Sequence, residues 1–191
     1  FNDGNNGGNY RVTTGAGTGV IDPLAVMVAG SRVYDGTALA AASILNVTNL
    51  VSGDALTLAG TAGLAGRNVG TEAITGFGGL TLGGASAGNY TLAGASGVVT
   101  VSPAALTITA VPATKTYDGT TAAAASPTVA GIQSGDSVTG VTESYATANA
   151  GTGITLSVNG GYTVNDGNNG GNYTVTTVAA KAPDGVAIDR E

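Results

Sequence analysis

Short runs of alternating apolar and polar residues recur along this chain. Leu106-Thr107-Ile108-Thr109, Ile154-Thr155-Leu156-Ser157-Val158, Leu80-Thr81-Leu82 and Tyr173-Thr174-Val175-Thr176 change character at every step. A period of two sends one set of side chains to a core face and the other to solvent, and the β-branched residues in these runs suit a pleated surface. Clusters of Gly and Asn bound the runs, so each reads as a half-buried strand between turns. The alanine-rich stretches Ala38–Ala42 and Ala122–Ala125 are the plausible helix seeds, and both are too short to hold a helix alone. The pattern predicts an all-β chain.

The pattern is also written more than once. Asn2–Tyr10 reads NDGNNGGNY, Asn165–Tyr173 repeats it residue for residue, and a looser relative, GASAGNY, occupies Gly84–Tyr90. The closing tyrosines Tyr10, Tyr90 and Tyr173 are 80 and 83 residues apart (90 − 10 and 173 − 90). Val33-Tyr34-Asp35-Gly36-Thr37 returns as Thr116-Tyr117-Asp118-Gly119-Thr120 at an offset of 83. Ser52-Gly53-Asp54 returns as Ser134-Gly135-Asp136 at 82, and Asn68-Val69-Gly70-Thr71 as Asn149-Ala150-Gly151-Thr152 at 81. Landmarks kept in one order mark an internal repeat. The expected organisation is the tail of one repeat over residues 1–22, complete repeats at 23–102 and 103–180, and a charged tail at 181–191. Asn9–Thr14 matches the last strand of a repeat whose other strands are not in this sequence. It is expected either to pair within the next repeat or to complete a sheet in a neighbouring chain.

Composition narrows the function. Repeats of roughly 80 residues bury modest cores, and with no cysteine in the sequence disulfides cannot reinforce them. Histidine is absent as well, which removes the commonest general base and transition-metal ligand. Only 9% of residues are charged, so the surface must be built from Thr, Ser, Asn, Gly and Ala. A net charge of −6 with six scattered basic residues argues against nucleic acid as a partner. No apolar run approaches the length of a membrane span.

The candidate chemistry has structural explanations. The Gly/Asn-rich string lies between Tyr162-Thr163-Val164 and Tyr173-Thr174-Val175, where a hairpin would need residues tolerant of positive φ. Asp166 and its neighbouring amides suggest calcium, but calcium needs several convergent oxygens and the middle copy lacks the Asp. No metal or cofactor is expected. Tyr34-Asp35-Gly36 and Tyr117-Asp118-Gly119 are expected to be turn motifs, with the Asp bonding backbone amides, the Tyr ring packed on the core and its hydroxyl partnered at the edge. Asp35, Asp54 and Glu72 read as the counterparts of Asp118, Asp136 and Glu143. A catalytic carboxylate pair duplicated in every repeat would be unusual, and no phosphate-cradling loop or nucleophile elbow is present, so no enzyme is expected. Lys115 could suggest an intramolecular Lys–Asn cross-link, but its counterpart in the first repeat is Arg32 with Val33.

TKTYDGTT, followed by SGD, ANAGT and a closing GGNYTVTT, resembles the YDG-type repeat of large bacterial surface and secreted adhesins, including those similar to the filamentous haemagglutinin group of two-partner secretion. The first repeat departs from it in SRVYDGT and GRNVGT, and the chain after Ala180 does not resume an LTIT strand. The resemblance implies tandem small β-domains, sandwich or β-grasp-like, forming a stalk or spacer at the outer cell surface or outside the cell. It also implies a part in attachment and biofilm cohesion, with neighbouring repeats, copies of itself or surface glycans and proteins as partners. A filament subunit assembled by strand donation and a carbohydrate-binding module are the alternatives.

Overall fold

The computed structural model describes residue 2 and residues 4–183. The chain is nearly all β, with two short 3-10 turns at Ala42–Ile44 and Ala87–Asn89 and no α-helix among the described residues. The first repeat holds β1 (Leu24–Val33), β2 (Leu39–Ala41), β3 (Leu45–Val47), β4 (Thr57–Leu64), β5 (Gly70–Gly76), β6 (Leu80–Gly83) and β7 (Tyr90–Ser102). The second holds β8 (Ala104–Thr109), β9 (Thr128–Ala130), β10 (Ser137–Thr139), β11 (Glu143–Tyr145), β12 (Thr155–Val158), β13 (Thr163–Asn165), β14 (Tyr173–Val178) and β15 (Ala180–Lys181).

In the first repeat the strand order is β2-β4-β5-β7-β1-β3, with β6 also paired to β4. Its first and last strands lie side by side and parallel, from Leu24 opposite Tyr90 to Val33 opposite Ser102. All its other pairings are antiparallel. Parallel first and last strands at the centre of the sheet make the repeat grasp-like, without a helix lying across it. The second repeat copies this arrangement in shorter pieces. β8 and β14 are parallel from Ala104 opposite Tyr173 to Thr109 opposite Val178, β9 flanks β8, and β12 pairs with β15 as β5 pairs with β7.

Alternation explains which side chains turn inward. Val26 and Val28 of β1 are buried while Met27 between them is exposed, and β8 buries Ala104, Leu106 and Ile108. Gly97 of β7 sits where any Cβ would collide with the Val28 carbonyl oxygen, so the central parallel pair can close only on a glycine.

No strand pairing links the repeats among the described residues, yet they share one core. Val26, Val28, Tyr34, Val99 and Val101 of the first repeat belong to the same buried cluster as Ala104, Leu106 and Tyr173 of the second. Ile132, Val138, Val164 and Val175 pack against it. A smaller cluster of Ala110, Tyr145 and Leu156 fills the far side of the second repeat. Two units too small for a large core of their own are thus joined through a common one.

Several expectations are corrected. The Asn165–Tyr173 string does not close a hairpin, because β13 before it pairs with β10 while β14 after it pairs with β8. The positive φ expected of it is nonetheless there, at Gly167, Asn169 and Gly170. Asn9–Thr14 forms no strand and is exposed, as is the chain from there to Asp22, so the expected pairing within the next repeat is not made. The reason is that β7 already fills the slot beside β1, as β14 does beside β8. Neither alanine stretch is helical beyond the 3-10 turn: the first enters β2, and the second makes a single bridge from Ala122 to Ser144. Of the tail at 181–191, residues beyond Pro183 lie outside the described residues.

Leu106→Ala removes a fully buried side chain from the shared core and should cost about 2–5 kcal/mol. Because that core is common, urea unfolding followed by circular dichroism should shift as one cooperative transition. Two separate transitions, only one of which moves, would contradict a shared core.

Candidate functional site

The most elaborate polar constellation among the described residues is the junction between the repeats. In the second repeat the Ser134-Gly135-Asp136 turn is closed by the Asp136 N–H donating to the Gln133 carbonyl at 3.1 Å, with Gly135 at φ +89°. This aims the Asp136 carboxylate at the end of β14. The Tyr173 hydroxyl donates to Asp136 Oδ2 at 2.7 Å and accepts the Gln133 N–H at 2.9 Å. The first repeat builds the same lock: the Tyr90 hydroxyl donates to Asp54 Oδ2 at 2.7 Å and accepts the Val51 N–H at 2.9 Å. Tyr90 and Tyr173 therefore fasten the start of the last strand to the Ser-Gly-Asp turn.

What differs is who else reaches the carboxylate. The Tyr34 hydroxyl of the first repeat donates to Asp136 Oδ2 at 2.9 Å, and Arg67 Nη2 pairs with Asp136 Oδ1 at 3.1 Å. The Asp136 side chain is wholly buried, whereas that of Arg67 is one-third exposed. Arg67 Nη2 also donates to the Asp166 carbonyl at 2.8 Å, and its guanidinium lies 6.0 Å from the centre of the Tyr34 ring. Tyr34 meets Tyr173 edge-on, with ring centres 5.5 Å apart and planes at 77°. Beside them Asn172 Oδ1 accepts the Val69 N–H at 2.9 Å, and Asn172 Nδ2 donates to Asn68 Oδ1 at 3.1 Å. The NDGNNGGNY string is the socket for this contact. Buried Asp166 gathers the backbone N–H groups of Asn168, Gly170 and Asn172 at 2.7, 2.8 and 3.0 Å, curling the loop so that Asn172 faces the first repeat.

The electrostatics follow from that geometry. Burial first, and then the bond each makes to Asp136, push Tyr34 and Tyr173 up to about 12. Burial also works against the charged form of Asp166, but the three N–H donors outweigh it and hold that carboxyl below its ordinary value. No cluster of metal-ligating side chains occurs among the described residues.

The YDG motifs behave alike locally and differently at long range. Asp35 Oδ1 accepts the Thr37 N–H at 2.9 Å and Asp118 Oδ1 accepts the Thr120 N–H at 2.9 Å, while Gly36 and Gly119 take φ of +78° and +76°. Arg32 and Lys115 pair with these aspartates. Lys115 donates also to the carbonyls of Thr120 and Ala122, at 2.7 and 3.0 Å. Tyr34 packs into the core as expected; Tyr117 does not, being 67% exposed, because the surface that covers Tyr34 belongs to the next repeat. Tyr10 stands in the N-terminal copy of the socket string, 62% exposed. The pairing of Glu72 with Glu143 is corrected as well. Glu72 lies on β5 opposite Val99, whereas Glu143 lies on β11 in the position that Ala62 holds on β4. Arg67, the bridge between repeats, was not singled out by the sequence. Its one signal was that GRNVGT departs from the second repeat, where Ala148 stands in the same place.

Alongside the junction runs an open groove of about 800 Å³, lined by Arg67, Tyr162 and the backbone-rich Asn165–Gly170 loop. The arrangement binds one repeat to another. Compared with known proteins, the chain matches the YDG domain twice, over residues 22–97 and 102–180. It belongs to the YDG domain family. No curated protein and no solved structure matches the chain. In the first of these two YDG repeats the tyrosine that gives the motif its first letter, Tyr34, is the hydroxyl donor to the following repeat.

Tyr34→Phe removes a hydrogen bond to a buried carboxylate and should cost about 1.5–3 kcal/mol. Tyr117→Phe, at an exposed position, should stay within about 0.5 kcal/mol of the parent; equal effects in denaturant titrations would contradict the junction as described. A tyrosine whose folded pKa is raised stabilises the fold fully below the unfolded value and loses that contribution as pH climbs to the folded one. Stability should therefore fall between pH 10 and about 12, with Tyr34 and Tyr173 ionising late in an ultraviolet titration.

Proposed function

We propose that this pair of YDG repeats is a non-enzymatic stalk or spacer segment of a bacterial cell-surface or secreted adhesin, lying outside the cell and supporting attachment and biofilm cohesion. The observation that carries this reading is the parallel pairing of first and last strands. Tension on a chain anchored at one end and attached at the other pulls β1 and β7 in opposite directions along their shared ladder. The bonds of that ladder are then loaded in shear and share the force, instead of opening one after another. β8 and β14 repeat the arrangement, and the junction at Asp136 ties consecutive repeats together. Cysteine-free repeats of this kind need no oxidation to fold after export. A sparsely charged surface also gives neighbouring molecules little mutual repulsion.

Strand donation between chains is the weaker reading. The exposed Asn9–Thr14 segment has the sequence for it, but the receiving slot is filled in both repeats of this chain.

Force spectroscopy on the chain held by its two ends tests the spacer. Two unfolding events are expected, the second repeat yielding at lower force because β8–β14 has a shorter ladder than β1–β7. Each event should lengthen the chain by roughly 250 Å, given ~3.3–3.6 Å per extended residue. Yielding at the force of thermal noise would remove the spacer reading. On cells, antibodies against these repeats should stain intact bacteria, and deleting the repeats should reduce attachment; staining only after lysis would refute the surface location.

A further inference from the structure

Composition decides where an electron taken from this chain comes from. Cysteine, tryptophan and histidine are absent, and Met27 is the one methionine. Met27 is half exposed, and oxidants that deliver an oxygen atom convert it to the sulfoxide. An oxidant that removes a single electron is left with the seven tyrosines.

A phenol gives up an electron readily when its proton can leave at the same time. Tyr34 and Tyr173 both point their protons at one acceptor, Asp136 Oδ2, at 2.9 and 2.7 Å. The Arg67 guanidinium, 6.0 Å from the centre of the Tyr34 ring, disfavours a positive charge on that ring, so the proton has to go. The neutral phenoxyl radical that results carries its unpaired electron on the oxygen and on the ring carbons beside and opposite it. Two such radicals join through the carbons beside their oxygens. Hydroxyls that converge on a single carboxylate oxygen bring those carbons toward each other, and the two rings already meet edge-on with centres 5.5 Å apart. Both side chains are buried, at 1% and 7% exposure, which keeps their rings from those of other molecules. Tyr90 also has a carboxylate for its proton, Asp54, but the other groups on that turn are the Val51 N–H and the Ser86 hydroxyl.

We propose that Tyr34 and Tyr173 are an oxidative cross-linking site, at which a one-electron oxidant such as a peroxide-derived radical joins the two rings as dityrosine and welds the first repeat to the second. Each phenol passes one electron to the oxidant and its hydroxyl proton to Asp136, which releases the first proton to water before it takes the second. A carbon–carbon bond then forms between the ring positions beside the two oxygens. The hydrogens on those carbons move to the oxygens and restore both phenols, so the net loss is two electrons and two protons, and two equivalents of oxidant are reduced. The weld constrains the unfolded chain as a disulfide would, in a sequence that has no cysteine to make one. It rests on the contact at Asp136 and goes beyond the spacer reading, which neither requires it nor is tested by it.

Visible light with tris(bipyridine)ruthenium(II) and persulfate supplies the one-electron oxidant. The chain is illuminated briefly at high dilution, so that links between molecules are rare, and the monomer is digested for mass spectrometry. The main cross-linked product should join the peptides of Tyr34 and Tyr173, lighter than their sum by the two hydrogens lost, and the intact monomer should gain the blue fluorescence of dityrosine. Tyr34→Phe and Tyr173→Phe should each abolish that fluorescence, whereas Tyr117→Phe should leave it unchanged. Illumination in unfolding concentrations of urea should remove the preference for this pair. The linked chain should also need more urea to unfold than the unlinked one. The parent chain alone decides the matter, whatever the variants do to folding. Dityrosine that maps mainly to other tyrosines overturns the proposal, as does oxidation of exposed Tyr117 while Tyr34 and Tyr173 stay unlinked. A yield of this link that is equal in urea and in buffer overturns it too.

Discussion

One buried carboxylate organises the relation between the repeats. The side chain of Asp136 is wholly removed from water, and a charge in that position is tolerable only with partners on every side. Its own repeat supplies the hydroxyl of Tyr173; the preceding repeat supplies the hydroxyl of Tyr34 and the guanidinium of Arg67. The second repeat consequently cannot satisfy its own turn, and the first cannot bury its own motif tyrosine. Each contributes what the other lacks, and beneath them lies the shared apolar cluster to which β1, β7, β8 and β14 all contribute.

The division between what the residues announced and what they concealed follows the range of the interactions. Leu106-Thr107-Ile108-Thr109 became β8 and Leu80-Thr81-Leu82 lies in β6, because alternation reports which face is buried and needs no knowledge of neighbours. The aspartates of the motifs were legible for the same reason: Asp35 bonds a residue two positions away. Alternation does not say which strand lies beside which, so the parallel pairing of β1 with β7 was out of reach. The socket string was misread as a hairpin on that account. Its glycines told of positive φ correctly but carried no information about the partners of β13 and β14.

Arg67 was the hardest to see. Its partner atoms lie on Asp136 and Asp166, the latter 99 positions along the chain, and a comparison between repeats presents it only as a mismatch with Ala148. The misplaced burial of Tyr117 has the same origin. A residue whose environment is provided by the next unit looks identical, in sequence, whether or not that unit is there.

The passage from β7 to β8 takes a single residue, Pro103. A proline fixes its own φ and restricts the residue before it, so this connection stores almost no conformational entropy and gives the repeats no freedom to swivel. Whatever angle one repeat makes with the next is built into the covalent path as well as into the contact. An array assembled on such joints would turn by a constant increment at each step, carrying a given surface feature around its axis like the thread of a screw. Its far end would then sample a narrow cone and not the broad cloud of a flexible tether.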